Sequence, residues 1–260
     1  MSDHTPITRA RPAAATRRAS GRSVRSRRDA VQIDLAQLKA GTQFRPAGRA
    51  VDVCFVFDTT GSMTDKIEGL IATMSDLVRE LGDLDLDWRT TVVPFGDLKI
   101  PGDRIVDDLS FVDTVDGAVA QLRELPRFSG GGNRGESSIE AVQAALAKPF
   151  RPEAVRVLVL LTDDHAHQDR TSASVLEGQL LEAEAIAFVL SPPTEYYRRW
   201  ARTTAGQWYQ ISASVRPQAV LELLRNLCRD IAAVSAKVHE LAGGSVAAYR
   251  ALPPARRDGR

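Results

Sequence analysis

The chain has 260 residues, 43% of them hydrophobic and 26% charged, which is enough apolar material for one sizeable core. Its two cysteines exclude a disulfide framework, and no apolar run approaches the ~18 residues of a membrane span. The net charge of +1 conceals an asymmetry: Arg9, Arg11, Arg17, Arg18, Arg22, Arg25, Arg27 and Arg28 face a single acid, Asp3, so the remainder is acidic overall.

Residues 1–30 are rich in Arg, Ala, Ser and Thr and almost lack large apolar side chains. Such a segment buries too little surface to offset its ordering entropy, which predicts a disordered tail. It reads as a solubilising tail or as an arm for nucleic acid or another acidic partner. Residues 31–49 form a linker whose amphipathic piece, Val31 to Leu38, is expected to pack on the domain. The N-terminus lacks an apolar signal-peptide core, so a cytoplasmic location and no membrane association are expected.

Val51 to Phe57 is a β-prone apolar run and predicts a buried strand that stops at Asp58. Next, Ile67, Leu70, Ile71, Met74, Leu77, Val78 and Leu81 recur at spacings of three and four, the apolar face of a helix. Trp88 to Phe95 predicts a strand, Leu109 to Val112 a weak one, and 114–125 a helix. The glycine-rich stretch SGGGNRGESS (129–138) precedes a helix over 137–147.

Val155 to Thr162 is a second strongly apolar strand, and it too ends in acid, Asp163 and Asp164. A helix over 171–182, a strand Ala185 to Leu190, a helix over 194–204, a strand Gln207 to Ile211 and a long helix from Pro217 to about 241 complete the compact domain, 50–241. Gly-Gly, Pro-Pro and Arg-Arg pairs make 242–260 a flexible tail. Strands alternating with helices predict an α/β fold: a doubly wound, mostly parallel central sheet flanked by helices.

In such a sheet, ligands gather beyond the carboxyl ends of the strands. Asp58, Thr60 and Ser62 put one carboxylate and two hydroxyls on one tight loop there, hard oxygen donors suited to Mg²⁺ or Mn²⁺. Asp-Thr-Thr-Gly is also good turn chemistry. The metal reading takes precedence because of the strand-end location and the companion loops, one holding Asn133 and the other Asp163.

The motifs DTTGSM (58–63), GGGNRGESS (130–138) and LLTDDHAH (160–167), with TTAGQWYQIS (203–212), resemble the von Willebrand factor A domain and its metal-ion-dependent adhesion site. The resemblance covers roughly 50–235 and is nearest to a bacterial cytoplasmic type. It implies a Rossmann-like fold and a divalent cation, Mg²⁺ or alternatively Mn²⁺ or Ca²⁺, held by Asp58, Thr60, Ser62 and Asp163. The family's second-loop Thr is missing; Asn133 stands where a bacterial subgroup has an acid, with Glu136 or Ser137 as substitutes.

The function implied is a non-enzymatic, metal-dependent protein-binding adaptor or scaffold module whose ion completes its shell with a partner's Asp or Glu. Family analogy suggests an AAA+ ATPase or another member of a bacterial stress or defence system as partner. The alternative is a phosphohydrolase of the haloacid-dehalogenase type using Asp58 as nucleophile, which also begins with a strand ending in Asp. That chemistry usually needs a second acid two residues on, where this chain has Thr60, and no suitably placed downstream lysine is evident. His165 and His167 are expected at the rim, and Trp200, Trp208 and Tyr209 in the core.

Overall fold

The computed structural model describes residues 48–130, 135–211 and 217–258. The chain divides into two units, residues 1–44 and 45–260. The Arg-rich segment 1–30 and nearly all of 31–49 lie outside the described residues.

The second unit follows the alternation of its sequence. β1 (Ala50–Asp58) leads through a short 3-10 turn (Gly61–Met63) into α1 (Thr64–Asp83), then β2 (Asp87–Phe95), α2 (Val115–Arg123), α3 (Ser138–Leu146) and β3 (Val155–Leu161). α4 (Ala173–Glu182), β4 (Ala185–Ser191), α5 (Glu195–Thr203), β5 (Trp208–Gln210) and α6 (Pro217–Ala242) follow. All strands pair in parallel in the order β2-β1-β3-β4-β5. The sheet therefore winds outward in opposite directions from β1 and β3, whose neighbouring carboxyl ends form the crevice where open α/β sheets bind ligands.

Both faces of the sheet are covered, which explains why its strands read as continuous apolar runs. Side chains alternate across a strand. Val51, Val53, Phe55 and Phe57 of β1 pack with α1, α2 and α6, whereas Cys54 and Val56 pack with α3, α4 and α5. β3 divides in the same way, Val157 and Val159 to the first layer, Leu158 and Leu160 to the second. Trp200 and Tyr209 are core residues, while Trp208 is half-buried at the edge strand with the Arg198 guanidinium 4.5 Å over its ring.

Two expectations are corrected. Leu109 to Val112 is not a strand but a single antiparallel bridge, Thr90 to Val112. The Leu109 carbonyl is taken instead by the Thr91 hydroxyl at 3.0 Å and by the Lys148 ammonium, so side chains consume what a ladder would need. Residues 242–260 are not a fraying tail throughout: α7 (Val246–Ala251) and α8 (Pro254–Asp258) form there. Gly243 and Gly244, at φ +59° and +93°, end α6, the Ser245 hydroxyl caps α7, and Val246 and Tyr249 are buried in the core.

The end of the sheet opposite the crevice is locked by charge. Asp52 is fully buried and accepts from Arg89 Nη2 at 2.5 Å, Arg151 Nε at 2.9 Å and the Arg151 amide at 2.7 Å. Among the described residues no helix is long and apolar enough to cross a membrane.

Candidate metal centre

β1 delivers Asp58 to the crevice with its side chain fully buried. Its Oδ1 accepts from the Thr60 amide at 3.0 Å and the Thr60 hydroxyl at 2.6 Å, and its Oδ2 accepts from the Thr162 hydroxyl at 3.0 Å. Burial nevertheless outweighs these bonds and pushes the Asp58 carboxyl up to about 6, with the nearby charge of Asp163 adding to the effect.

β3 delivers the second acid. Asp163 Oδ1 accepts from the Ser62 hydroxyl at 3.0 Å, and Oδ2 accepts from the Lys66 ammonium at 3.1 Å. Of the first-loop hydroxyls, Thr60 gives its proton to Asp58 and Ser62 gives its proton to Asp163, while that of Thr59 goes to the Phe95 carbonyl. A hydroxyl engaged in this way keeps its lone pairs for a cation. Of the candidate donors, hydrogen bonds join Thr60 to Asp58 and Ser62 to Asp163. Asn133 lies outside the described residues.

The described residues on either side of 131–134 are held by hydrogen bonds. The Phe128 amide donates to the Thr59 carbonyl at 3.1 Å, and the Ser129 and Gly130 amides donate to Asp103, each at 3.0 Å. Gly130 has φ +53°, and a Cβ there would stand 2.4 Å from Thr60 Cγ2, so the close approach to the first loop requires glycine. At the other end, the Gly135 amide donates to Asp164 Oδ2 at 3.1 Å. Glu136 then pairs with the third loop: its amide donates to the His165 carbonyl at 2.7 Å, and the His167 amide donates to its carbonyl at 3.0 Å.

This pairing turns the Glu136 side chain inward, where it is buried and Oε2 has no hydrogen-bond partner. Burial, with the charges of Asp58, Asp97, Asp164 and Asp103 around it, pushes its carboxyl up to about 9. A buried acid with an unmet oxygen among other carboxylates makes Glu136 a candidate donor to a cation. Among the described residues no three His, Cys, Asp or Glu side chains converge as a self-sufficient metal cluster. The donor set mixes hydroxyls with a few carboxylates, and it fits a small hard cation that retains water.

His165 stays at the rim, whereas the side chain of His167 is largely buried. His167 spans Asp97 Oδ1 at 3.1 Å and Lys99 Nζ at 3.2 Å, while the exposed His165 meets the Thr194 hydroxyl at 3.2 Å. Sequence reasoning missed Lys66, whose ammonium also donates to the Ser62 carbonyl at 2.6 Å. The available signal was its spacing: four residues beyond Ser62, a cation in the first turn of a helix, where the macrodipole disfavours one.

No curated protein matches this chain in sequence. Among solved structures, proximal thread matrix protein 1 from the mussel byssus, described with a zinc-occupied MIDAS motif, is similar with a TM-score of 0.50 and 17% identity, over 74% of this chain and 51% of that one. The likeness is one of fold, and the chain spans about half the length of that structure. The sequence profile described as von Willebrand factor A domain matches residues 52–216, well over half of the chain. With the all-parallel sheet and the crevice that sheet creates, this match establishes that the chain belongs to the von Willebrand factor A domain family.

Proposed function

We propose that the protein is a non-catalytic, metal-dependent protein-binding module. Asp58, Thr60, Ser62 and Asp163, with Asn133 or Glu136 from the glycine-rich loop, would hold Mg²⁺, or alternatively Mn²⁺ or Ca²⁺. The ion would take an Asp or Glu of a partner into its open position. The observation that carries this reading is the pairing of the Thr60 and Ser62 hydroxyls with the strand-end carboxylates Asp58 and Asp163, beside a buried glutamate with an unmet oxygen. An adaptor role in the cytoplasm, with an AAA+ ATPase or another component of a bacterial stress or defence system as partner, extends this reading. The two separate buried cysteines are compatible with a reducing compartment.

The test is retention of partners on the immobilised full chain with Mg²⁺, with EDTA, and with Asp58→Ala. Retention should fall in the last two; equal retention in all arms would refute the proposal. The phosphohydrolase alternative loses ground because Thr60, the residue that would need to be an acid, spends its hydroxyl on Asp58. Turnover of para-nitrophenyl phosphate that vanishes in Asp58→Asn would restore it.

A further inference from the structure

Among the described residues of the centre, Lys66 opposes a cation. It stands in the first turn of α1, its side chain is only 3% exposed, and its partner Asp163 is 5% exposed. Two effects weigh against an ammonium there: the positive end of the helix dipole and the loss of hydration on burial. Both of its observed contacts, the Asp163 carboxylate and the Ser62 carbonyl, belong to the first and third loops of the centre.

We propose that Lys66 is a built-in counter-cation that lowers the centre's own hold on a divalent ion and so increases the ion's demand for an acid from outside. The inference rests on the metal-centre reading and concerns the regulation of that same site. Whatever the ionisation of the neighbouring Glu136, the ammonium cancels one unit of the negative charge that Asp58 and Asp163 bring to the ion. The hydroxyls of Thr60 and Ser62 add none. A divalent ion so placed is short of negative charge, and a carboxylate arriving on another protein supplies what Lys66 has cancelled.

Lys66 also fixes Asp163. With Oδ2 held by the ammonium, Oδ1 is left to Ser62 and to the crevice. A lysine that acted only by holding the acid in place would make metal binding weaker when removed. A counter-cation makes it stronger, and the direction of the change separates the two roles.

The experiment is titration of the full-length chain with Mn²⁺, followed by the electron paramagnetic resonance of the free ion, and with Mg²⁺ by calorimetry. It is run on the wild type, Lys66→Met, Lys66→Gln and Asp58→Asn. Removing the ammonium should tighten Mn²⁺ binding about tenfold or more. The thermal midpoint of Lys66→Met should be lower than wild type in EDTA and should rise further on saturation with Mn²⁺. Equal or weaker binding by folded Lys66→Met and Lys66→Gln would overturn the inference. If both variants are unfolded in EDTA, refolding at Mn²⁺ concentrations too low to load the wild type supports it, and refolding only at higher concentrations, or none, overturns it. Binding by the wild type that is lost in Asp58→Asn but unchanged in Lys66→Met removes this inference alone; no uptake by any protein removes the metal-centre reading as well.

Discussion

Thr162 donates its hydroxyl to Asp58 Oδ2 across 3.0 Å, and so ties the carboxyl ends of two adjacent parallel strands through fully buried side chains. Thr162→Val keeps the shape and removes the donor. It should destabilise the protein by about 1–3 kcal/mol in urea denaturation, since a buried carboxylate oxygen loses its partner. A loss below ~0.5 kcal/mol would mean that the bond does not hold the crevice together.

The centre should make stability depend on pH in an unusual direction. Asp58 and Glu136 rise from ordinary values of 3.8 and 4.5 to about 6 and about 9. The folded state thus keeps protons that the unfolded chain releases. The stabilising contribution is complete below the ordinary carboxylate range and is lost as pH climbs through about 6 and then about 9. In EDTA, the thermal midpoint should fall between pH 5 and 9, and Glu136→Gln should flatten that decline. A profile unaffected by the substitution would show that Glu136 does not carry the effect.

Glycine at position 130 is required by both backbone and space, at φ +53° and against Thr60. Gly130→Ala should cost about 1–2 kcal/mol of stability through the left-handed conformation alone. It should also displace the Thr60 hydroxyl and weaken Mn²⁺ binding, measured by titration of the folded variant. Binding at wild-type strength would indicate that the glycine-rich loop can move without disturbing the first loop.

Asp52 gives the complementary control. Asp52→Ala leaves Arg89 and Arg151 without their shared buried acid and should cost about 3 kcal/mol. Because this cluster lies at the other end of the strands, Mn²⁺ affinity of the folded variant should not change. A coupled loss of affinity would show that the two ends of the sheet are not independent.

The fold was legible because its strands and helices advertise themselves. Val51 to Phe57 and Val155 to Leu161 are apolar throughout, and the threefold and fourfold spacing from Ile67 to Leu81 matches α1. Leu109 to Val112 misled because a short β-prone run says nothing about whether its carbonyls will be claimed by Thr91 and Lys148. The short helices after Gly244 were hidden for a related reason: glycine and proline mark breaks, but only packing of Val246 and Tyr249 on the core shows that ordered turns resume.

The placement of the candidate donors Asp58, Thr60, Ser62 and Asp163 in the crevice was readable because strand ends in a parallel sheet are predictable places. Lys66 was not, since a lysine early in an amphipathic helix ordinarily belongs to the solvated face. Only the approach of β3 to β1 reveals that its head group meets an acid 97 residues away. Glu136 could be named as a substitute donor, yet its inward turn depends on backbone pairing with His165 and His167.

That pairing has a wider consequence. Through the single parallel bridge between Glu136 and Ala166, the residues around Glu136 and the turn after β3 become mechanically one piece. Lengthening either would shift the other, so insertions should be resisted from Gly135 to Ser137 and from His165 to His167. A designer seeking to alter partner choice would therefore do better to decorate the margins of these two segments than to re-engineer them.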